Sequence, residues 1–214
     1  MEVESLRADK AWLDSRVPLN VDVMHTARLL RGRRTARMPH SVTLMPILYV
    51  LSGLPATGKT TLAKLLSRRL RAAYLRIDII EQALRDLAAV DVQGEGYELA
   101  YRIAEDTLHV GVEVVADCCN PIGITRTEWK QVAARAGCLC RNIEILCSDQ
   151  FEHRRRAEAR PATIQGLTPP TWEEIQTREY EPWEECRIVI DTAGQSEEDA
   201  FSELLRKLAY PLPD

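Results

Sequence analysis

The sequence predicts an α/β fold: a parallel sheet covered by helices on both faces. Three observations carry this expectation. Short apolar runs alternate with amphipathic segments of helical length. Each run is continuously apolar instead of alternating, as expected of strands buried on two sides. A glycine-bearing turn joins the first run directly to the first helical segment.

The elements follow in order. Residues 47–52 (ILYVLS) form a buried strand, and a helix over 59–71 carries Leu62, Leu65, Leu66 and Leu70 on one stripe. A second strand is expected at 73–77, then helices around 80–88 and 97–108. A third strand is expected at 112–116, a helix at 126–136 and a fourth strand at 141–147. After these come a lid-like helix at 150–160, a proline-rich loop, a helix near 172–178, a last strand at 187–190 and a closing helix at 197–208. The 214 residues, 45% of them hydrophobic, suffice for one domain with a full core. That domain is expected to span 45–214.

Residues 1–44 read differently. They carry a net charge of about +3 against about −7 for the rest, and Arg28, Arg31, Arg33, Arg34 and Arg37 fall in an acid-free stretch. A disordered arm, a short helix or a nucleic-acid or membrane-surface tether would each fit this N-terminal extension. A gene start drawn too early, with Met38 or Met45 as the true beginning, fits equally. The acidic residues Glu2, Glu4, Asp9, Asp14 and Asp22 argue against an organelle presequence.

Bulk properties exclude several classes. With 28 basic and 32 acidic side chains the chain is a poor platform for wrapping polynucleotide, so a long nucleic acid is not an expected partner. None of the six cysteines forms a C-x2-C pair, and reduced thiols in a cytoplasmic protein are expected. No apolar run reaches the roughly 20 residues of a membrane span.

The strongest motif is Gly53-Leu54-Pro55-Ala56-Thr57-Gly58-Lys59-Thr60, followed by Thr61. It satisfies G-x4-G-K-[ST] between a strand and a helix. In such a loop the glycines turn backbone N–H groups onto phosphates and the helix N-terminus adds a positive dipole end. Lys59 reaches the terminal phosphates, and the Thr60 hydroxyl takes one magnesium position. ATP with Mg2+ is the expected ligand pair, and the fold becomes a P-loop NTPase three-layer sandwich with a five-stranded parallel sheet.

Other residues point to phosphoryl transfer. Asp78 is expected to close the second strand at the carboxyl edge, where a carboxylate can take the acceptor's proton; a helix N-cap is the plainer alternative. Asp117 ends the third strand and is expected to hold magnesium through water or to steer Thr60, the alternative being a turn. Arg156 and Arg160 sit at i, i+4 on the lid helix, placed to neutralise charge on the moving phosphate; a solvated, Glu152- or Glu158-paired face would produce the same run. Arg126 near a helix start is either an anion contact or a surface residue.

These residues together resemble the small P-loop kinases of the AAA-33, zeta-toxin and chloramphenicol phosphotransferase-like group. The resemblance runs from about Ile47 to Leu208. It rests on 53–61, on Arg76-Ile77-Asp78 followed by Ile80 to Leu84, on Asp117, on His153 to Arg160, and on Arg178 to Trp183 leading to Val189 to Ala193. It implies an ATP:hydroxyl phosphotransferase with Asp78 as base, Arg156 and Arg160 in a lid, and the Asp191–Ala193 loop near the adenine. A plain turn role for Asp191 is an equal alternative.

The sequence departs from the group where many members place an arginine three residues after the strand acid, because that residue is Glu81 here and the nearest arginine is Arg85. An acid there favours a neutral or cationic small hydroxyl acceptor, and the expected state is a monomer or homodimer. The other readings are an ATP-binding or ATP-hydrolysing regulatory protein and a nucleic-acid 5'-hydroxyl or toxin-type kinase.

Overall fold

A computed structural model of the protein describes residues 45–89 and 91–209. The expectations for residues 1–44 lie outside the described residues. Five strands form one sheet: β1 (Ile47–Ser52), β2 (Ala73–Arg76), β3 (Val114–Asp117), β4 (Leu139–Leu146) and β5 (Ile188–Asp191). All neighbours pair parallel, in the spatial order β2-β3-β1-β4-β5. Seven helices connect them among the described residues: α1 (Lys59–Leu70), α2 (Ile77–Ala88), α3 (Glu95–His109), α4 (Gly123–Arg135), α5 (Gln150–Glu158), α6 (Trp172–Gln176) and α7 (Glu197–Lys207).

The continuous apolar strands bury both faces, which makes this a three-layer sandwich. Successive β1 residues point to opposite sides. Leu48 and Val50, with Val114 and Ala116, pack against Ala100, Tyr101, Ala104 and Leu108 of α3 and Trp129, Val132 and Ala133 of α4. Tyr101 meets Trp129 edge-on, with ring centroids 4.6 Å apart. Tyr49 and Leu51, with Val115, Ile143, Ile145 and Ile190, pack against Leu62, Ala63 and Leu66 of α1 and Ala200, Leu204 and Leu205 of α7. No helix among the described residues is long and apolar enough to cross a membrane.

Three boundaries differ from expectation in ways that move site residues. β2 ends at Arg76, which has extended backbone (φ −107°, ψ 113°), and Ile77 already opens α2. The apolar run 73–77 continues through Ile77, which is buried, but its burial comes from the helix start. Asp78 therefore lies in the first turn of α2 instead of closing the strand, one residue past the helix start, where an acid suits the positive end of the dipole. α5 stops at Glu158. Arg160 precedes Pro161, and proline disfavours helical geometry in the residue before it. α4 begins at Gly123, so Arg126 sits inside it and not at its start.

β1 is followed by α1 on one face of the sheet, whereas its neighbour β3 is followed by α4 on the other. The chain thus parts in opposite directions at the carboxyl ends of two adjacent strands, and the crevice left between them is the usual ligand position in such sheets.

Candidate functional site

The phosphate loop occupies that crevice. Gly53 sits at φ +136°, and a β-carbon there would lie 2.1 Å from the Ile145 carbonyl oxygen, so only glycine lets the loop leave β1 this close to β4. Gly58, at φ +96°, is the N-cap of α1 and has no side chain to fill the opening before the helix dipole. Inside the loop, Thr57 Oγ1 donates to the Leu54 carbonyl at 2.9 Å and Lys59 Nζ donates to the same oxygen at 2.7 Å. Lys59 is buried, so its ammonium takes a backbone partner.

Two outside contacts brace the loop. His153 Nε2, on α5, lies 2.8 Å from the Pro55 carbonyl oxygen, and its ring meets Trp172 of α6 edge-on. Thr192 Oγ1, just after β5, donates to the Thr57 carbonyl at 2.9 Å. Neither brace was legible in sequence, because the partners lie 98 and 135 residues apart along the chain.

Beside the loop opens a cleft of about 1060 Å³. Lys59, Thr60, Asp78, Asp117, Arg156 and Arg160 all line it, so residues from separate stretches of the chain meet at one place. The cleft also takes in Lys64, Arg76, Glu81, Gln82, Arg85 and Arg178, and its far wall is the proline-rich stretch 161–170. Lys64, Gln82 and Arg178 are not among the site residues that the sequence motifs mark. Gln82 carries a signal of a kind, a polar residue on the buried face of an amphipathic helix, whereas Lys64 is exposed on α1 and carries none.

Asp117, the last residue of β3, is buried at 3% exposure, and its Oδ2 accepts a hydrogen bond from the Tyr74 hydroxyl at 2.8 Å. Burial, then the Asp117 charge, push the Tyr74 phenol well above its ordinary range, so it stays a donor. Arg76 donates from Nη2 to Asp78 Oδ2 at 3.1 Å and from Nη1 to Thr163 Oγ1 at 3.3 Å. Glu81 lies 3.5 Å from Arg85; burial raises its carboxyl pKa, with Asp78 adding to the effect and Arg85 opposing it.

Arg156 donates to the Thr192 hydroxyl at 2.7 Å and to its carbonyl at 2.9 Å, and pairs with Glu152 at 2.7 Å. It thus belongs both to the cleft wall and to the brace behind the loop. The Arg160 guanidinium, beyond the helix end, has no hydrogen-bond or ion-pair partner among the described residues.

Two residues that the sequence singles out sit elsewhere. Arg126 is buried under the segment 181–183: it donates to the carbonyls of Asn120, Pro121, Glu181 and Pro182 and stacks on Trp183 at 4.1 Å. With its donors so engaged it is a structural pin and lies outside the cleft. Asp191 does not line the cleft either. Its Oδ1 accepts from the backbone N–H of Ser148 at 3.0 Å and of Ala193 at 3.1 Å. Burial works to raise its pKa, but these bonds outweigh it and hold the carboxyl below its usual value. The side chain fixes a turn.

Thr60 and Asp117 offer the oxygen chemistry that magnesium selects. Both line the cleft, and the Thr60 hydroxyl makes no hydrogen bond to another described residue. A hydroxyl and one buried carboxylate, with water completing the shell, fit this ion, which keeps several waters.

The family model for the AAA domain (AAA_33) matches residues 48–179, well over half of the chain. The chain belongs to the AAA domain family. That match takes in the phosphate loop, Asp78, Asp117, Arg156 and Arg160. No curated protein matches the chain. As an AAA domain it superposes on a protein from Chloroflexus aurantiacus with a TM-score of 0.60, at 21% identity over 77% of this chain and 97% of that one. It is also similar to the APS kinase CysC of Mycobacterium tuberculosis, solved with AMPPNP and APS (TM-score 0.58, 20% identity, 77% and 98% covered). A gluconokinase from Sinorhizobium meliloti superposes at a TM-score of 0.56 and 16% identity, with 77% and 93% covered. At these identities the likeness is one of fold: this AAA domain has the P-loop NTPase sandwich.

Proposed function

We propose that the chain is an ATP-dependent phosphotransferase that moves the γ-phosphate of ATP to a hydroxyl of a small-molecule acceptor. The carrying observation is that the phosphate loop shares one cleft with the Asp78 carboxylate and with the arginines Arg156 and Arg160. The same cleft carries Glu81, Gln82, Arg85 and Arg178, polar groups suited to binding an acceptor and not required for ATP binding or slow hydrolysis alone. The solved folds that resemble it include proteins described as APS kinase and gluconokinase, which supports the same reading.

In this reading the loop N–H groups and Lys59 hold the β- and γ-phosphates, for which Lys59 exchanges the Leu54 carbonyl for phosphate oxygens. Thr60 and Asp117 would hold magnesium, which supplies neutralisation of phosphate charge when bound. Asp78 accepts the acceptor's hydroxyl proton as that oxygen bonds to the γ-phosphorus and the bond to the ADP oxygen breaks. Arg156 and Arg160 stabilise the charge spread over the moving group. Glu81 has its charge offset by Arg85, which removes the case for a specifically cationic acceptor.

The test is ADP release from MgATP alone, with pooled small hydroxyl compounds, and with a 5'-hydroxyl oligonucleotide. Acceleration by a compound in the pool is the expected result. Turnover that no acceptor accelerates, but a protein partner does, would refute the phosphotransferase reading.

A further inference from the structure

The chain holds two buried arginines that differ in kind. Arg126 is fully engaged by four carbonyls and two aromatic rings. Arg76, with its side chain 3% exposed, lines the cleft and uses only two of its donors in hydrogen bonds. Its Nε is buried without a hydrogen-bond partner, 3.9 Å from Asp117 Oδ2. A buried guanidinium with unmet donors is costly, and such groups persist mainly where the site needs them.

Its position explains what it is for. Arg76 ends β2 in direct register with Asp117 on β3, so the parallel ladder sets the guanidinium beside one carboxylate. Asp78 follows two residues later in the first turn of α2, bonded to Nη2. The Asp78 side chain is 44% exposed and would otherwise sample several rotamers; the charge-assisted bond selects one. Tyr74 holds Asp117 through the same oxygen that Arg76 approaches. From Nη1 the arginine reaches Thr163 in the wall segment 161–170.

Resting on the phosphotransferase reading, we infer that Arg76 is a positioning residue that fixes the Asp78 carboxylate relative to Asp117 and, through Thr163, ties that placement to the 161–170 wall. It acts through Asp78, so its removal should slow transfer without loosening ATP.

A double-mutant cycle tests this, read as ADP release from MgATP with the pooled hydroxyl compounds or, if none is active, with water as acceptor. Arg76→Met should lower kcat by about 10- to 100-fold with the KM for ATP within roughly 3-fold of the parent. In an Asp78→Asn background the same change should cost less than about 2-fold. Arg76→Lys, which keeps the charge but not the fork, should fall between parent and Arg76→Met. Multiplying effects of the two single changes, an unchanged kcat, or a rise in KM at constant kcat would each overturn the inference while leaving the phosphotransferase reading intact. An Asp78→Asn variant with full transfer, or no ADP release under any condition, brings down both. Should Arg76→Met fail to fold, Thr163→Val serves: a kcat several-fold lower at constant KM supports the link, and an unchanged kcat refutes it.

Discussion

The ammonium of Lys59 donates to the carbonyl oxygen of Leu54 at 2.7 Å, so the cation of the phosphate loop is folded onto the loop's own backbone. The charge is stored in place, buried and single-partnered, and a phosphate oxygen is a stronger acceptor than the amide it replaces.

Lys59→Ala therefore removes one hydrogen bond from the folded protein and most of the nucleotide's grip. Stability should change by about 1 kcal/mol or less. The Kd for MgATP, measured by calorimetry, should rise on the order of 100-fold. An unchanged Kd would mean that the loop is not where ATP binds.

Asp78→Asn separates binding from chemistry. The amide is nearly isosteric but cannot take a proton, so ATP binding should persist while transfer falls by roughly 100-fold or more. Normal transfer by this variant would refute the base assignment.

Arg126→Ala tests the structural pin. Truncation strands four carbonyls and removes the stacking on Trp183, a loss of ~3 kcal/mol. Thermal unfolding should come down by on the order of 10 °C. Turnover per folded molecule should hold at low temperature, and a selective loss of turnover in a fully folded variant would place Arg126 in the site after all.

Glu81 offers a pH test. Its folded-state pKa is raised above the ordinary 4.5, chiefly by burial, so the folded state binds the proton more tightly than the unfolded chain. Stability from this group is present below pH 4.5 and is lost as pH rises through the folded value. Glu81→Gln should consequently raise the unfolding midpoint near neutral pH and lose that advantage in acid. An advantage that stays constant with pH would show that the carboxyl does not titrate as its burial implies.

Much of this site is readable from local sequence because its logic is local. Gly53, Gly58, Lys59 and Thr60 act through backbone geometry and short reach, and their spacing alone encodes the loop. Asp117 can be placed because a strand's apolar run ends where the sheet's edge begins. Asp78 and Arg160 lie just across an element boundary from where the pattern puts them. Ile77 is apolar in strand and helix start alike, and Pro161 turns Arg160 away from the helical geometry that its i, i+4 spacing suggests.

The phosphate loop is thus encoded in neighbouring residues: periodicity and loop spacing alone specify an α/β sandwich with a phosphate loop at the end of its first strand. The remaining roles arise only when the chain packs. Packing makes Arg126 a pin and Asp191 a turn, braces the loop with His153 and Thr192, and sets Arg76 between two carboxylates. Each of those roles depends on which distant backbone group or charged side chain comes within reach, and pairing order in the sheet, which sets those neighbours, is written in no single segment.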